Sequence, residues 1–218
     1  MRPPTYPEAS FLSEVTASAT HELRNVLAII KESNGLMGDM AQLCAVKGVL
    51  DEGRVNRAVD RVDTQVKRGA DILTGLNRLS HCLDVDNAPL ELGEEVDLLV
   101  FMSGRKARNR RQTLAVTARE TPSQVTASPL HLQMALFAVL KVCTEECPEG
   151  SAISVGVKHS DEGPLVEFLV ESASVPGTLA LSAGELWMNA SLLVEAIGAR
   201  MEAFADGWGI RVIFAVSG

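Results

Sequence analysis

Apolar residues recur at alternating intervals of four and three residues through the first third of the chain, which is the heptad pattern of a long amphipathic helix. The first repeat comprises Leu12, Thr16, Ala19, Leu23, Val26, Ile30, Ser33, Met37, Met40 and Cys44. The second comprises Val55, Val59, Val62, Val66, Gly69, Leu73, Leu76, Ser80 and Leu83. Residues 47–53 lie between them and include two glycines, so the pattern predicts two long antiparallel helices. A lone hairpin leaves apolar surface uncovered, and we expect a second copy to complete a four-helix bundle across a two-fold axis.

The period changes after Asn87-Ala88-Pro89, where helical segments begin to alternate with short β-rich segments. The pattern predicts helices over 93–111, 129–146 and 186–197, with strands over 113–117, 124–127, 152–158, 165–171, 200–204 and 209–216. Ser128-Pro129 is typical of a helix start, and Gly198 of a helix end. We therefore predict an α+β protein with two domains: a helical hairpin over 1–88 and an α/β sandwich over 89–218.

Composition narrows the classes of function. The 218 residues are 46% hydrophobic, and 20 Lys+Arg against 28 Asp+Glu give a net charge of −8. This balance argues against broad nucleic-acid binding, which needs a basic surface. No run approaches the roughly 20 apolar residues of a membrane helix, and no targeting segment is evident. Four cysteines are too few for a disulfide scaffold. We expect a cytoplasmic protein with reduced thiols that binds neither membrane nor nucleic acid.

The sharpest local feature is Thr20-His21-Glu22-Leu23-Arg24-Asn25 on the first predicted helix. Ala19 and Leu23 lie in the heptad repeat, so His21 should point outward with an accessible ring nitrogen, and such imidazoles are largely neutral and nucleophilic at pH 7. Glu22 could orient the ring or accept its proton, while Arg24 and Asn25 could donate hydrogen bonds to an incoming phosphoryl group. The alternative is an ordinary solvated histidine on a charged helix face.

The segment HELRNVLAII resembles the H-box of two-component sensor histidine kinases, in which a phosphoacceptor histidine precedes an acidic residue, an apolar residue, Arg, and Asn or Thr. The resemblance covers residues 10–85 and implies a dimerisation and histidine-phosphotransfer hairpin, with His21 as the phosphoacceptor. Many of these kinases carry a proline where this chain has Val26, so the helix here should be straighter.

The second half resembles the ATP-binding domain of the same kinases in its order of elements, through residues 95–99, 127–133 and 194–201. Its nucleotide boxes are degenerate. Val142 occupies the metal-binding Asn position of the N-box and has no side-chain oxygen to bind Mg²⁺. Residues 170–176 lack the Asp and the glycines of the first glycine box, and residues 182–186 keep only Gly184 of the second. We therefore expect no ATP-dependent autokinase activity and no cofactor.

A histidine hairpin joined to a degenerate ATPase-like domain resembles the dimeric histidine phosphotransferases of bacterial phosphorelays. The resemblance implies transfer of phosphoryl groups between response-regulator receiver aspartates, with Mg²⁺ held by the receiver. The small residues Ala17 and Ala28 would let a receiver approach closely, although helix propensity alone also explains them. Two other functions remain open: a non-catalytic dimeric regulator that binds a response regulator or a kinase, and a divergent active histidine kinase.

Two further clusters have structural explanations. The basic run over 105–111 could bind an acidic partner or nucleic acid, but it fits a solvated helix C-terminus, where cations complement the helix dipole. Cys143 and Cys147 lie one helical turn apart without further ligands at metal-binding spacing, which favours buried thiols.

Overall fold

The computed structural model describes residues 7–48, 50–171, 184–204 and 209–215. Within them, two long helices precede a domain of mixed helix and sheet, as the sequence predicts. The chain divides into two compact units, one formed by residues 14–78 and the other by residues 1–13 together with 79–218. Among the described residues, no helix is long and apolar enough to cross a membrane.

The hairpin unit contains most of α1 (Pro7–Lys47) and α2 (Glu52–His81). The two helices run antiparallel, because Glu22 pairs with Arg68 near one end and Glu32 pairs with Arg61 nearer the turn. The predicted α1 repeat holds: Ala19, Val26, Ser33 and Met40 are its most buried members, and Val15 rather than Thr16 is buried at its start.

The predicted α2 repeat is wrong at alternate positions. Val59, Val66 and Leu73 are 42%, 54% and 57% exposed, whereas their predecessors Ala58 and Ile72 are buried. The stripe that packs on α1 is shifted by one residue at these positions, because apolar residues stand on both sides of the true contact line. It comprises Val55, Ala58, Val62, Gln65, Gly69, Ile72 and Leu76.

The second unit contains a five-stranded sheet. Its strands are β2 (Thr113–Arg119), β4 (Ala152–Ser160), β5 (Gly163–Glu171), β6 (Ala199–Ala203) and β7 (Gly209–Phe214). Their order across the sheet is β2-β4-β5-β7-β6. The pair β2–β4 is parallel and the other pairs are antiparallel. Two short strands that the main sheet does not include, β1 (Ala88–Glu91) and β3 (Gln124–Ala127), pair antiparallel with each other. The strands predicted over 152–158 and 165–171 are confirmed and form an antiparallel hairpin; β1 was not predicted.

Three helices supply the other half of the core: α3 (Leu92–Asn109), α4 (Pro129–Glu146) and α5 (Glu185–Ala196). Alternate residues of the central strands are buried against them, and the largest fully buried side chain is Phe168. This alternation gives the sheet one apolar face, so the unit is a two-layer α/β sandwich. The strand-side members of the core are Ile153, Val155, Val157, Val166, Phe168, Val170, Ile210, Val212 and Phe214.

Polar side chains fix both ends of α4. Ser128 accepts a hydrogen bond from the backbone N–H of His131 at the N-terminus, which confirms the predicted cap. At the C-terminus the buried Gln112 amide donates to the carbonyls of Thr144, Cys147 and Pro148. The carbonyls of Thr144 and Cys147 are ones that the helix end leaves without partners, and Pro148 follows the helix.

The first turns of α1 belong to the sheet unit and pack on α4. Phe11 is 7% exposed and meets the Phe137 ring edge to face, with centroids 5.3 Å apart. The Lys106 ammonium lies 5.2 Å from the Phe137 centroid, and Glu8 lies 3.6 Å from the ring nitrogen of His131. The outer face of α4 is therefore covered at Phe137 by residues of its own chain.

Candidate functional site

Apart from Glu22, the predicted site residues are exposed on the face of α1 that points away from α2. His21 and Arg24 are exposed, as are Ala17 and Ala28 one turn to either side of them. The spacings of four, three and four residues place these side chains in one narrow stripe of the helix, opposite the buried repeat. The structure therefore brings the phosphoacceptor candidate and the two small docking candidates onto one accessible surface.

Asn25 contacts the imidazole of His21. Its Nδ2 lies 3.3 Å from Nδ1 of the ring, one helical turn back, in an exposed pair. The orientation of an amide and the tautomer of an imidazole are assigned together, so Asn25 can donate to an unprotonated Nδ1 or, turned over, accept from Nδ1–H. The second arrangement leaves Nε2 without a proton and open to solvent. Asn25 thus holds the ring itself, a role that the sequence did not assign to it.

Glu22 points toward α2 and forms an ion pair there. Its Oε2 accepts from Nη2 of Arg68 at 2.7 Å, and its side chain is only 15% exposed. A carboxylate held in this way ties the first helix to the second, one residue from His21. Arg68 lies 46 residues away in sequence, and nothing local in the sequence indicates it. Assistance by Glu22 to the imidazole stays a prediction.

Close packing behind His21 stabilises this part of α1. Gly69 of α2 faces Val26, and a Cβ on Gly69 would lie 3.4 Å from Cγ1 of Val26 and 4.0 Å from Cδ2 of Leu23. The absence of a side chain at Gly69 lets the two helices approach closely one turn beyond the candidate nucleophile. The imidazole is therefore presented by a helix whose opposite side is packed.

The face of α4 that carries Val142 points into the core. Val142 is fully buried among the side chains between α4 and the sheet. The partly exposed residues of this helix instead include Phe137, Lys141 and Glu145 at four-residue intervals, and Lys141 pairs with Glu145. Of the two glycine boxes, residues 172–176 and 182–183 lie outside the described residues.

The basic run over 105–111 ends α3 and binds the end of α4. Lys106 pairs with the Glu145 carboxylate at 3.2 Å, the Arg110 guanidinium donates to the Glu145 carbonyl, and Arg111 lies 3.9 Å from Glu149. The interpretation of this run as a helix C-terminus is confirmed by the helix end at Asn109.

Cys143 and Cys147 are buried free thiols, as predicted. Burial raises the pKa of both thiols. The neighbouring Cys147 raises the pKa of Cys143 further, and the Glu146 carboxylate does the same for Cys147, whose pKa reaches about 11. Both groups stay protonated at neutral pH. Among the described residues, no cluster of His, Cys, Asp and Glu has the geometry of a metal site.

Solved structures with a similar arrangement are histidine kinases and a phosphotransferase. The Acinetobacter baumannii histidine kinase AdeS is 11% identical, with 91% of this chain and 98% of that chain covered and a TM-score of 0.48. A structure titled as a bacterial phosphotransferase is 14% identical, with 97% and 98% covered and a TM-score of 0.49. Histidine kinase ThkA, solved in complex with the response regulator protein TrrA, is 17% identical, with 94% and 61% covered and a TM-score of 0.44.

Other similar solved structures are the catalytic domain of histidine kinase ThkA and the cytoplasmic segment of histidine kinase QseC. No family model and no curated protein sequence matches this chain. At identities of 11–17%, the shared architecture describes the fold and not the reaction.

Proposed function

We propose that this protein is a histidine phosphotransferase of two-component signalling, in which His21 receives a phosphoryl group from a receiver aspartate and passes it to another. The observation that supports this most is the exposed His21 imidazole, held by Asn25 in a stripe that carries no large side chain at Ala17 or Ala28. Transfer of this kind needs a positioned nucleophile and a surface on which the donor can dock.

The transfer step balances without a proton acceptor on this chain. The unprotonated Nε2 attacks phosphorus, an N–P bond forms, and the P–O bond to the receiver aspartate breaks, releasing its carboxylate. The Nδ1 proton stays on the ring, where the Asn25 amide, turned over, can accept a hydrogen bond from it. Arg24, exposed one turn from His21, can donate to the phosphoryl oxygens as they move. Mg²⁺ bound by the receiver, and not by this chain, would neutralise part of the charge on the phosphoryl group.

The proposal includes transfer without ATP. Val142 has no oxygen to bind a metal and is enclosed in the core, and the neighbouring outer face of α4 is covered where Phe137 packs on Phe11. These features favour a domain that supports the hairpin over one that binds nucleotide. A cytoplasmic location stays part of the proposal.

A second copy of the chain is also part of the proposal. Val59, Val66 and Leu73 repeat at intervals of seven residues along α2 and stay exposed in the single chain. Such a stripe on a helix that already packs on its neighbour is typical of a four-helix bundle. We expect Val66→Glu to give a monomer by analytical ultracentrifugation. Val46→Glu places the same substitution at an 83% exposed valine outside the stripe and should leave the assembly unchanged.

The central experiment follows ³²P from a panel of phosphorylated receiver domains, and separately from ATP, to the wild-type chain and to His21→Ala. We expect acid-labile, base-stable label from a receiver, none from ATP, and none on His21→Ala. Label from ATP would establish an active kinase instead. Binding of a receiver without any label would establish a regulator that acts without phosphorylation.

A further inference from the structure

A cleft opens on the hairpin near its turn, far from His21. It has a volume of about 320 Å³, at the lower end of the range for small-molecule sites. Its wall is formed by Ser33, Leu36, Arg54, Arg57, Ala58 and Arg61. Ser33 lies 12 residues beyond His21, which is about 18 Å along a helix. The cleft is therefore separate from the proposed phosphotransfer site.

Three guanidinium groups crowd one wall of this cleft. Arg54, Arg57 and Arg61 stand at positions i, i+3 and i+7 of α2, on one face of the helix. Arg61 pairs with Glu32 at 3.4 Å, but both side chains are at least half exposed, so the pair is weak. Arg54 and Arg57 have no side-chain ion-pair partner among the described residues.

One acidic side chain of this stretch, that of Asp51, binds the backbone at the start of α2. Asp51 accepts the backbone N–H of Arg54 at 3.0 Å at the start of α2. The three guanidinium groups lie within about two helical turns and repel one another, although Glu52 and Asp60 stand in the same stretch of α2. An anion bound between the guanidinium groups would lower that repulsion.

Ser33 adds a polar group that lacks a partner. Its side chain is 2% exposed, and its hydroxyl oxygen is buried without a hydrogen-bond partner among the described residues. A buried hydroxyl in this state costs free energy that a ligand oxygen can recover. Rotation about χ1 moves the hydroxyl between staggered positions, which lets it reach a ligand in the cleft that it lines.

The cleft stays open in the proposed dimer. Arg57 and Val59 lie on either side of Ala58, the residue that packs on α1, and successive helical residues are about 100° apart. The arginines therefore flank the helix contact on one side and the stripe of Val59, Val66 and Leu73 flanks it on the other. A partner seated on that stripe leaves the arginines accessible.

We propose that this cleft binds a phosphate dianion, either inorganic phosphate or the phosphate of a small monoester. Arginine forks match phosphate oxygens with paired hydrogen bonds, and a serine hydroxyl completes the set. Leu36 provides an apolar wall against which the carbon portion of a monoester packs. The site does not depend on the function proposed for His21.

The test is isothermal titration calorimetry on the full chain with inorganic phosphate, and separately with AMP as a monoester, at constant ionic strength set with chloride. Wild type should bind one phosphate per chain. Arg54→Gln and Arg57→Gln should each weaken binding about tenfold or more, and Ser33→Ala about fivefold. Lys67→Gln removes one charge from the exposed outer side of the same helix and should bind as wild type does. Arg24→Gln, beside His21, should also bind normally.

Several outcomes distinguish inorganic phosphate from a phosphate monoester and test the proposal. Tighter binding of AMP than of phosphate supports a monoester site, and equal binding supports inorganic phosphate. Equal losses in Arg57→Gln and Lys67→Gln would mean general charge screening and would overturn the site, as would the absence of saturable binding. Loss of phosphate binding in Arg24→Gln alone would place the bound phosphate beside His21 and would also overturn the proposal. If Arg57→Gln weakens only the binding of a receiver domain, the arginines belong to a protein interface and the proposal fails. Circular dichroism checks the fold of each variant.

Discussion

Two substitutions of Asn25 distinguish two roles for this residue: positioning the His21 ring, or donating a hydrogen bond to the phosphoryl group. If Asn25 holds the His21 ring by accepting Nδ1–H, then Asn25→Ala removes one exposed hydrogen bond, now 3.3 Å long. Such a bond contributes about 1 kcal/mol, so the rate of phosphoryl transfer should fall about fivefold. Asn25→Asp keeps an acceptor at the same distance, and a charged one, so transfer should stay near the wild-type rate.

The alternative, in which Asn25 donates to the phosphoryl group, predicts the opposite order. A carboxylate at this position would repel the phosphoryl oxygens, so Asn25→Asp would be slower than Asn25→Ala. The assay is single-turnover transfer from a phosphorylated receiver, at receiver concentrations that saturate the chain. Gln42→Ala, an exposed amide elsewhere on α1, is the matched control. An Asn25→Asp variant slower than Asn25→Ala, or an Asn25→Ala variant as fast as wild type, would refute ring positioning.

Three further predictions concern stability. Gly38 lies within α1 with no atom within 4 Å of an added Cβ, so Gly38→Ala should stabilise the chain by about 0.5–1 kcal/mol, measured by urea unfolding. Gly209→Ala should destabilise it by about 1–3 kcal/mol, because its Cβ would lie 2.5 Å from the Phe204 ring and 2.8 Å from the Phe168 carbonyl; a neutral result would contradict this packing. Since burial raises the pKa of the Cys147 thiol from 9.0 to about 11, the unfolded chain loses this proton first. Stability should therefore fall as pH rises from about 9 to about 11, and fall less steeply in Cys147→Ala.

Elements with a strong local period could be predicted from the sequence. The repeat of α1 and the start of α4 at Ser128-Pro129 depend on residues close together in the chain, and both are confirmed. The strands of the 152–171 hairpin were predicted for the same reason. His21 could be placed on an exposed face because its neighbours in the repeat are buried behind it.

Contacts between distant segments could not be predicted. The Gln112 amide binds carbonyls 32 to 36 residues further along the chain, and a glutamine before a strand gives no sign of this role. The same holds for Arg68 on Glu22, and for Phe11, whose place in the sheet unit depends on Phe137. The parallel pairing of β2 with β4 depends on how the intervening elements cross, which the strand sequences do not specify.

The difference between the predicted and the observed contact stripe of α2 has a physical cause. A helix that packs on one neighbour needs one apolar stripe, but α2 has apolar residues both at its contact with α1 and at Val59, Val66 and Leu73 beside it. The residues of the second set are larger and more apolar than Ala58, which lies at the contact with α1, so they fit a heptad pattern better than the contact itself does. Small residues fit where two helices of one chain approach closely, and larger exposed ones suit a wider separation. A helix with two packing partners produces such an ambiguous pattern. The pattern therefore favours a second copy of the chain on the stripe of Val59, Val66 and Leu73, which leaves Arg57 on the other side of the helix contact accessible.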